Sequence, residues 1–246
     1  MSEKAFIFGP NGKLGAIWVK ALNALNFSTY GFGLEETYTD SQNQLNSYSQ
    51  MDLVKVSASD ISNLINKYLP RVLILNSGFD SPPGTGKSNF HEFSLDSWLD
   101  FINVNLVGNV KILNAALQSE KVPERIVVIG SMYATSVPIL ELYSHYGPSG
   151  QIKHPGYAAS KAALLATIRQ YSVPFLKRGS FLNMLSPGAI QGNQDLEFVN
   201  KISRYIPMGR LGNLAELESG LKFLIDSGNT YYVGQNLVID GGMGIW

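Results

Sequence analysis

Apolar residues along this chain fall into two alternating patterns. One is the short run: Lys4 to Phe8, Phe27 to Phe32, Leu53 to Val56, Val72 to Asn76 (VLILN), Arg125 to Ile129 (RIVVI), Phe181 to Ser186 and Asn236 to Ile239. Such runs predict strands, and the fully apolar ones predict strands covered on both faces. The other pattern has helical spacing: a segment from the glycines after Phe8 to about Leu25, then Leu95 to Leu117 and Tyr157 to Leu176. Alternation of this kind predicts an α/β fold, a doubly wound parallel sheet flanked by helices, as a single domain over residues 1–246. Ligands then bind beyond the carboxyl ends of the strands.

Two segments depart from the alternation. Glu36 to Gln50 is polar and rich in Ser, Asn, Gln and Tyr, and reads as a surface loop or a poor helix. Met132 to Pro155 is too long for a connection inside a compact domain, so it reads as an insertion with a role of its own.

Composition narrows the partners. Nineteen basic and nineteen acidic residues cancel, so no field invites nucleic acid or an anionic membrane. There is no cysteine, hence no thiolate metal site and no disulfide framework. The opening MSEKAFIFGP is too short an apolar run for a signal-peptide core, and no later run approaches a membrane span; the expected location is cytoplasmic.

The first strand runs into FGPNGKLGAIW. Gly9, Gly12 and Gly15 follow a strand and open a helix, the context in which glycines let a backbone approach a pyrophosphate at a helix N-terminus. An ordinary glycine-rich turn fits the same residues. The acid that grips an adenosine ribose is missing from its expected place: the second strand ends in Tyr30-Gly31-Phe32-Gly33-Leu34, and Glu35 or Glu36 comes late. No Lys or Arg stands there for a 2′-phosphate, so the choice between NAD and NADP is open. A second glycine cluster, Gly84-Thr85-Gly86-Lys87-Ser88, imitates an ATPase phosphate loop, but Ser81 stands where the leading glycine belongs, and a polar surface loop is expected.

Tyr157 and Lys161 are four residues apart, on one face of the predicted helix and near its start. A free tyrosine, with a pKa of about 10, is a poor acid or base near neutrality. A nearby ammonium favours the phenolate and tunes the pair towards general acid–base work. Taken alone, a solvated lysine on an amphipathic helix explains the spacing as well.

The pair does not stand alone. In family order come the turn Gly9-Pro10-Asn11-Gly12-Lys13-Leu14-Gly15, then Asp52-Leu53, Asn76-Ser77-Gly78, Asn105 in NVNLVG, Ser131 in VVIGSMYA, Tyr157, Lys161, Pro187-Gly188, and PMGRLGNLAELESGLKFLI with YYVGQNLVIDGG. Over essentially the whole chain these resemble the short-chain dehydrogenase/reductase family. The resemblance implies a Rossmann-type fold and an NAD- or NADP-dependent enzyme. It implies that Tyr157 exchanges a proton with the substrate oxygen, Lys161 lowers its pKa and holds the nicotinamide ribose, Ser131 polarises the carbonyl, and Asn105 anchors a relay water. Gly9, Asn11, Gly12, Lys13, Leu14 and Gly15 would cradle the pyrophosphate, Asp52 and Leu53 would meet adenine, and Asn76, Ser77 and Gly78 would line the cofactor. Ile190, after Pro187 and Gly188, would offer backbone groups to the carboxamide. No metal is implied. A homodimer or homotetramer is expected, with the stripe Ala162, Leu165, Ile168, Arg169 serving helix packing or such an interface.

Departures from the pattern refine the expectation. Gly12 is displaced by one position and Lys13 stands where the family carries a glycine, a spacing more typical of its sugar-nucleotide branch. The Ser131–Tyr157 segment is about twice the usual length. Together these look like oxidoreductases of flagellin glycosylation and surface-sugar biosynthesis. The expected partner is therefore a small alcohol or carbonyl substrate, with a sugar or nucleotide sugar as the narrower form of that expectation. Tyr143, His145, Tyr146 and His154 either contact that substrate or pack the insertion. Two rivals are kept: an epimerase or dehydratase, which calls for a C-terminal substrate domain this sequence is not expected to hold, and a non-catalytic dinucleotide-binding regulator or scaffold.

Overall fold

The computed structural model describes residues 2–40, 42–81, 87–147 and 152–245. Pro82 to Gly86 of the second glycine cluster, and four residues of the 132–155 insertion, lie outside these ranges.

Seven parallel strands form one sheet in the order β3-β2-β1-β4-β5-β6-β7. They are β1 (Lys4–Phe8), β2 (Ser28–Gly33), β3 (Ser47–Gln50), β4 (Val72–Leu75), β5 (Arg125–Ile129), β6 (Phe181–Pro187) and β7 (Asn236–Ile239). The strand order reverses at β1, whose two neighbours are β2 and β4. That reversal opens a crevice at the carboxyl ends of β1 and β4.

Side-chain alternation explains why the central runs are apolar throughout. Phe6, Phe8, Leu73, Leu75, Ile126 and Val128 enter one core, with helices α2 (Ala58–Tyr68), α4 (Asn109–Gln118) and α5 (Pro155–Leu176). Ala5, Ile7, Val72, Ile74, Val127 and Ile129 enter the other, with α1 (Gly15–Ala24) and α7 (Leu214–Ile225). Each of these three strands feeds both cores, so both of its faces are dominated by apolar residues, and the buried Arg125 of β5 satisfies its guanidinium on the Asp226 and Ser227 carbonyls.

The structure corrects three expectations. Leu53 to Val56 is not a strand: the Asp52 carboxylate accepts the Val54 N–H at 2.9 Å and the Asp52 carbonyl accepts from Lys55 and Val56, a local turn that competes with strand pairing. The third strand is instead Ser47–Gln50, the end of the polar segment; it lies at the sheet edge, pairs only with β2 and is mostly exposed, so it needs no apolar residues. The run Leu95 to Leu117 is interrupted: α3 (Leu95–Ile102) passes through a π-helical stretch, Asn103–Gly108, into α4. On α5, Leu165 and Ile168 of the expected packing stripe are core, while Ala162 and Arg169 are exposed.

Three further helices carry cap signals that periodicity alone did not reveal. Ser57 caps α2 by accepting from Asp60, Asp195 caps α6 (Leu196–Ser203), and Asn213 with Glu216 forms a capping box on α7. The insertion folds onto α6: Leu142 and Tyr143 share a small core with Phe198 and Ile202. No helix among the described residues is long and apolar enough to cross a membrane.

Candidate active site

The glycine turn is built so that no side chain fits. Gly9 has φ +84°, the left-handed region, and a Cβ there would lie 2.8 Å from the Ser77 backbone nitrogen. At Gly15 a Cβ would come within 2.4 Å of the Pro10 carbonyl carbon. Gly12 closes the turn: its N–H donates to Gly9 and its carbonyl accepts from Gly15 at 2.7 Å. Helix α1 starts here with no side-chain cap and no acidic residue in its first turn, so its N-terminal N–H groups are not taken by side chains. A bare, positively polarised helix end with backbone at its mouth is the cradle a pyrophosphate needs.

Its rim is fastened from several sides. Asn76, just past β4, donates to the Gly9 carbonyl at 2.6 Å and accepts from the Trp18 indole at 2.8 Å. The Asn11 amide reaches the segment after β2, donating to the Thr37 carbonyl at 2.8 Å and to the Glu35 carboxylate at 3.3 Å. Lys13 spans the cleft and donates to the Ile190 carbonyl at 3.2 Å; burial lowers its pKa. That carbonyl also accepts from Gln194, so of the backbone groups expected at Ile190 the oxygen is already engaged. Leu14 packs into the α1–α7 core rather than facing the cleft. Pro187 ends β6, and the Gly188 N–H donates to Ile239, which pins the loop to β7. Asp52 and Leu53 follow β3 on the β2 side of the crevice; Leu53 is buried against Gly108, and its carbonyl accepts from Lys111 at 2.7 Å.

Glu35 comes two residues after the end of β2. The turn after β2 brings its carboxylate back: a Cβ on Gly33 would lie 3.2 Å from Glu35 Oε2, and Tyr48 holds the Glu35 carbonyl at 2.8 Å. The acid expected at the end of β2 is thus present beside Asn11, two residues late in sequence. Tyr48 on the edge strand is the signal that could have found it.

The second half of the site gathers at the ends of β4 and β5. Lys161 is buried and donates from Nζ to the Ile129 carbonyl at 3.0 Å; burial pushes its pKa down to about 8. Tyr157 lies with its ring centroid 5.9 Å from that ammonium, and its hydroxyl hydrogen-bonds Ser131. Ser131, buried at the end of β5, also accepts the Tyr133 N–H at 3.2 Å. Asn105 sits in the π-helical stretch and is fully buried. Its amide clamps the Phe79 backbone from both sides, accepting from N at 2.6 Å and donating to O at 2.9 Å, and it donates to Ser160 at 2.9 Å. Gly78 faces two of them: a Cβ there would stand 3.4 Å from Lys161 Nζ and 3.5 Å from Asn105 Oδ1.

One electrostatic expectation is reversed. Tyr157 is not tuned downward in the free chain: burial, and then the Asp80 charge, push its pKa above the ordinary tyrosine range, against the pull of the Ser131 hydrogen bond. Desolvation penalises both charged forms at once, so it disfavours phenolate and ammonium together. Tyr157 therefore stays protonated, the form that can donate to a carbonyl oxygen.

The aromatic side chains of the insertion are mostly committed to packing. His154 caps α5, accepting the Gly156 N–H at 2.9 Å, and is surrounded by Phe93, Trp98 and Phe101. Tyr143 is buried against Phe198. Tyr146 donates to Asp195 at 2.6 Å, and His145 stacks on Tyr146 with its Nε2 3.3 Å from the same carboxylate. Among the described residues, no three His, Cys, Asp or Glu side chains gather as a metal site would require.

Residues 70–244 match a family profile described as enoyl-(acyl carrier protein) reductase. A curated relative, an uncharacterized oxidoreductase of Haemophilus influenzae, is 28% identical over 184 residues, covering 70% of this chain and 65% of its own length. The 3-oxoacyl-[acyl-carrier-protein] reductase of Salmonella typhimurium is 29% identical over 154 residues, 60% of this chain and 58% of its own. The chain thus aligns with somewhat under two thirds of these relatives. Among solved structures, a short chain dehydrogenase from Leptospira borgpetersenii with bound NAD+ superposes with a TM-score of 0.83 at 22% identity, covering 99% of this chain and 93% of that one.

Proposed function

This chain belongs to the short-chain dehydrogenase/reductase family, and from that premise we propose that it is a nicotinamide-dependent oxidoreductase acting on an alcohol/carbonyl pair. The observation that carries the reading is the meeting of Ser131, Tyr157 and Lys161, with Lys161 and Asn105 beside Gly78, next to a glycine cradle with an uncapped helix end. When bound, a nicotinamide dinucleotide supplies the hydride. Gly9, Gly12 and Gly15 with the start of α1 would hold its pyrophosphate, and Lys161 its nicotinamide ribose. Ser131 holds and polarises the substrate oxygen. The Tyr157 hydroxyl gives that oxygen its proton in reduction and takes it back in oxidation. Lys161, with its Nζ 5.9 Å from the ring centre, shares the charge left on the tyrosine. Asn105 fixes the Phe79 backbone and so the wall of the site.

NAD rather than NADP is the cofactor this geometry favours. Glu35 stands at the end of β2 beside Asn11, and residues 34–40 hold Glu35, Glu36 and Asp40 but no Lys or Arg. A carboxylate there accepts from ribose hydroxyls and repels a 2′-phosphate. The narrower form of the reading, a sugar-derived carbonyl, rests on the glycine spacing and the length of the 132–155 segment, because the insertion's Tyr143, His145, Tyr146 and His154 are engaged elsewhere. Assembly as a homodimer or homotetramer belongs to the same proposal and is read by light scattering.

Tyr157→Phe tests the core of it. Removing one hydroxyl should lower turnover of carbonyl probes, acetoacetyl-coenzyme A first among them, by about 10²–10⁴-fold, while NAD still raises the melting temperature as in the wild type. Wild-type turnover in the variant would remove Tyr157 from the reaction. Equal loss of NAD binding would make its role structural.

A further inference from the structure

A charge pair outside the four-residue constellation faces Tyr157. Lys153 and Asp80 are bonded at 2.6 Å, and Lys153 Nζ lies 5.0 Å from the centre of the Tyr157 ring, nearer than Lys161 at 5.9 Å. Neither Lys153 nor Asp80 is held by this contact alone. Asp80 follows Phe79, whose backbone is clamped on both sides by the buried Asn105 amide. Lys153 stands between Ile152, which is buried and exchanges two backbone hydrogen bonds with Lys87, and His154, the cap of α5. The lysine side chain is only 12% exposed. Two backbone scaffolds therefore deliver opposite charges to one aromatic ring, and one of those scaffolds is the insertion.

Resting on the reading of Tyr157 as the proton-transfer group, we propose that Lys153 is a second positioning cation for this tyrosine, and that its pairing with Asp80 sets how readily the hydroxyl releases its proton. A cation over an aromatic face is attracted to the ring, and more strongly to a phenolate. Asp80 acts in the opposite sense, holding the proton on Tyr157, and it also supports the ammonium of Lys161. The other groups that meet Tyr157 are Lys161 on its own helix, Ser131 and Tyr133 after β5, and the uncharged Phe101 and Met243. Of these, only Lys161 is charged. Lys153 is thus the means by which the 132–155 segment adjusts proton transfer without touching the substrate.

The test places a fluorinated tyrosine at position 157, whose acidified phenol titrates while the chain is still folded, and follows it by fluorine NMR. Lys153→Met leaves Asp80 unopposed and should raise the apparent pKa by about one pH unit, the effect of a partly screened charge roughly 6 Å away. Lys153→Arg should restore the wild-type value. Adding Asp80→Asn to Lys153→Met should bring the pKa back down, because the orphaned carboxylate is gone. A merely structural pair would lower the melting temperature in all three variants and leave the titration unmoved, and that result overturns the proposal. The readout needs no turnover, so it separates from the Tyr157→Phe test: loss of activity there with an unmoved titration here sinks this inference alone.

Discussion

Gly9→Ala puts a single methyl against backbone in a left-handed conformation. Two costs add. The residue has φ +84°, and an L side chain in the left-handed region costs roughly 1–2 kcal/mol. The new Cβ would also sit 2.8 Å from Ser77 N and 2.9 Å from Ser77 Cα, both backbone atoms in the segment after β4, so it cannot be absorbed by a rotamer change. Overpacking of that kind costs about 1–3 kcal/mol. Taking about 3 kcal/mol together, and about 3 °C per kcal/mol for a chain of this size, the melting temperature should fall by about 9 °C. Gly179→Ala is the control: φ is +75° but no atom lies within 4 Å of the added Cβ, so only the strain remains. Differential scanning calorimetry reads both, and thermal shift with added NAD reads the cradle. Gly9→Ala should lose the NAD-induced shift; Gly179→Ala should keep it. The steric reasoning fails if the two variants melt alike, and the cradle assignment fails if Gly9→Ala still responds to NAD.

Lys161→Met should be more stable than the wild type at pH 7 by about 2 kcal/mol while losing turnover, since it removes a buried charge. The sign follows from the shift: between about 8 and 10.5 the folded chain has released the Lys161 proton and the unfolded chain has not, so wild-type stability rises with pH across that window. Denaturant unfolding at several pH values should show the rise in the wild type and lack its Lys161 part in the variant; parallel curves would mean the ammonium is not desolvated. Glu35→Ser should narrow the preference for NAD over NADP about tenfold, an effect of about 1.4 kcal/mol, measured by calorimetric titration. An unchanged preference would take Glu35 out of the ribose subsite.

Much of the architecture was legible because β1, β4 and β5 are apolar on both faces, a pattern only a doubly covered parallel strand requires. The glycines were legible because steric exclusion acts at single positions. So was the register of Tyr157 and Lys161, which helical spacing alone brings to one face. β3 was hidden because an edge strand that pairs on one side and faces water needs no apolar signature. Glu35 read as an acid too late for the strand end, because only a turn held by Tyr48 and Asn11 carries its carboxylate back there.

The sequence by itself determined which groups are available: a glycine turn before a helix, a tyrosine and lysine four apart, a serine after an apolar strand. Local spacing and backbone sterics suffice for those. Only the tertiary structure decided what each group experiences. Burial reversed the expected direction for Tyr157, packing drew Tyr143 and His154 into the cores, and chain segments more than seventy residues apart brought Asp80 and Lys153 together over the tyrosine. Desolvation and charge–charge distance depend on neighbours remote in the chain, and no local pattern of residues encodes them.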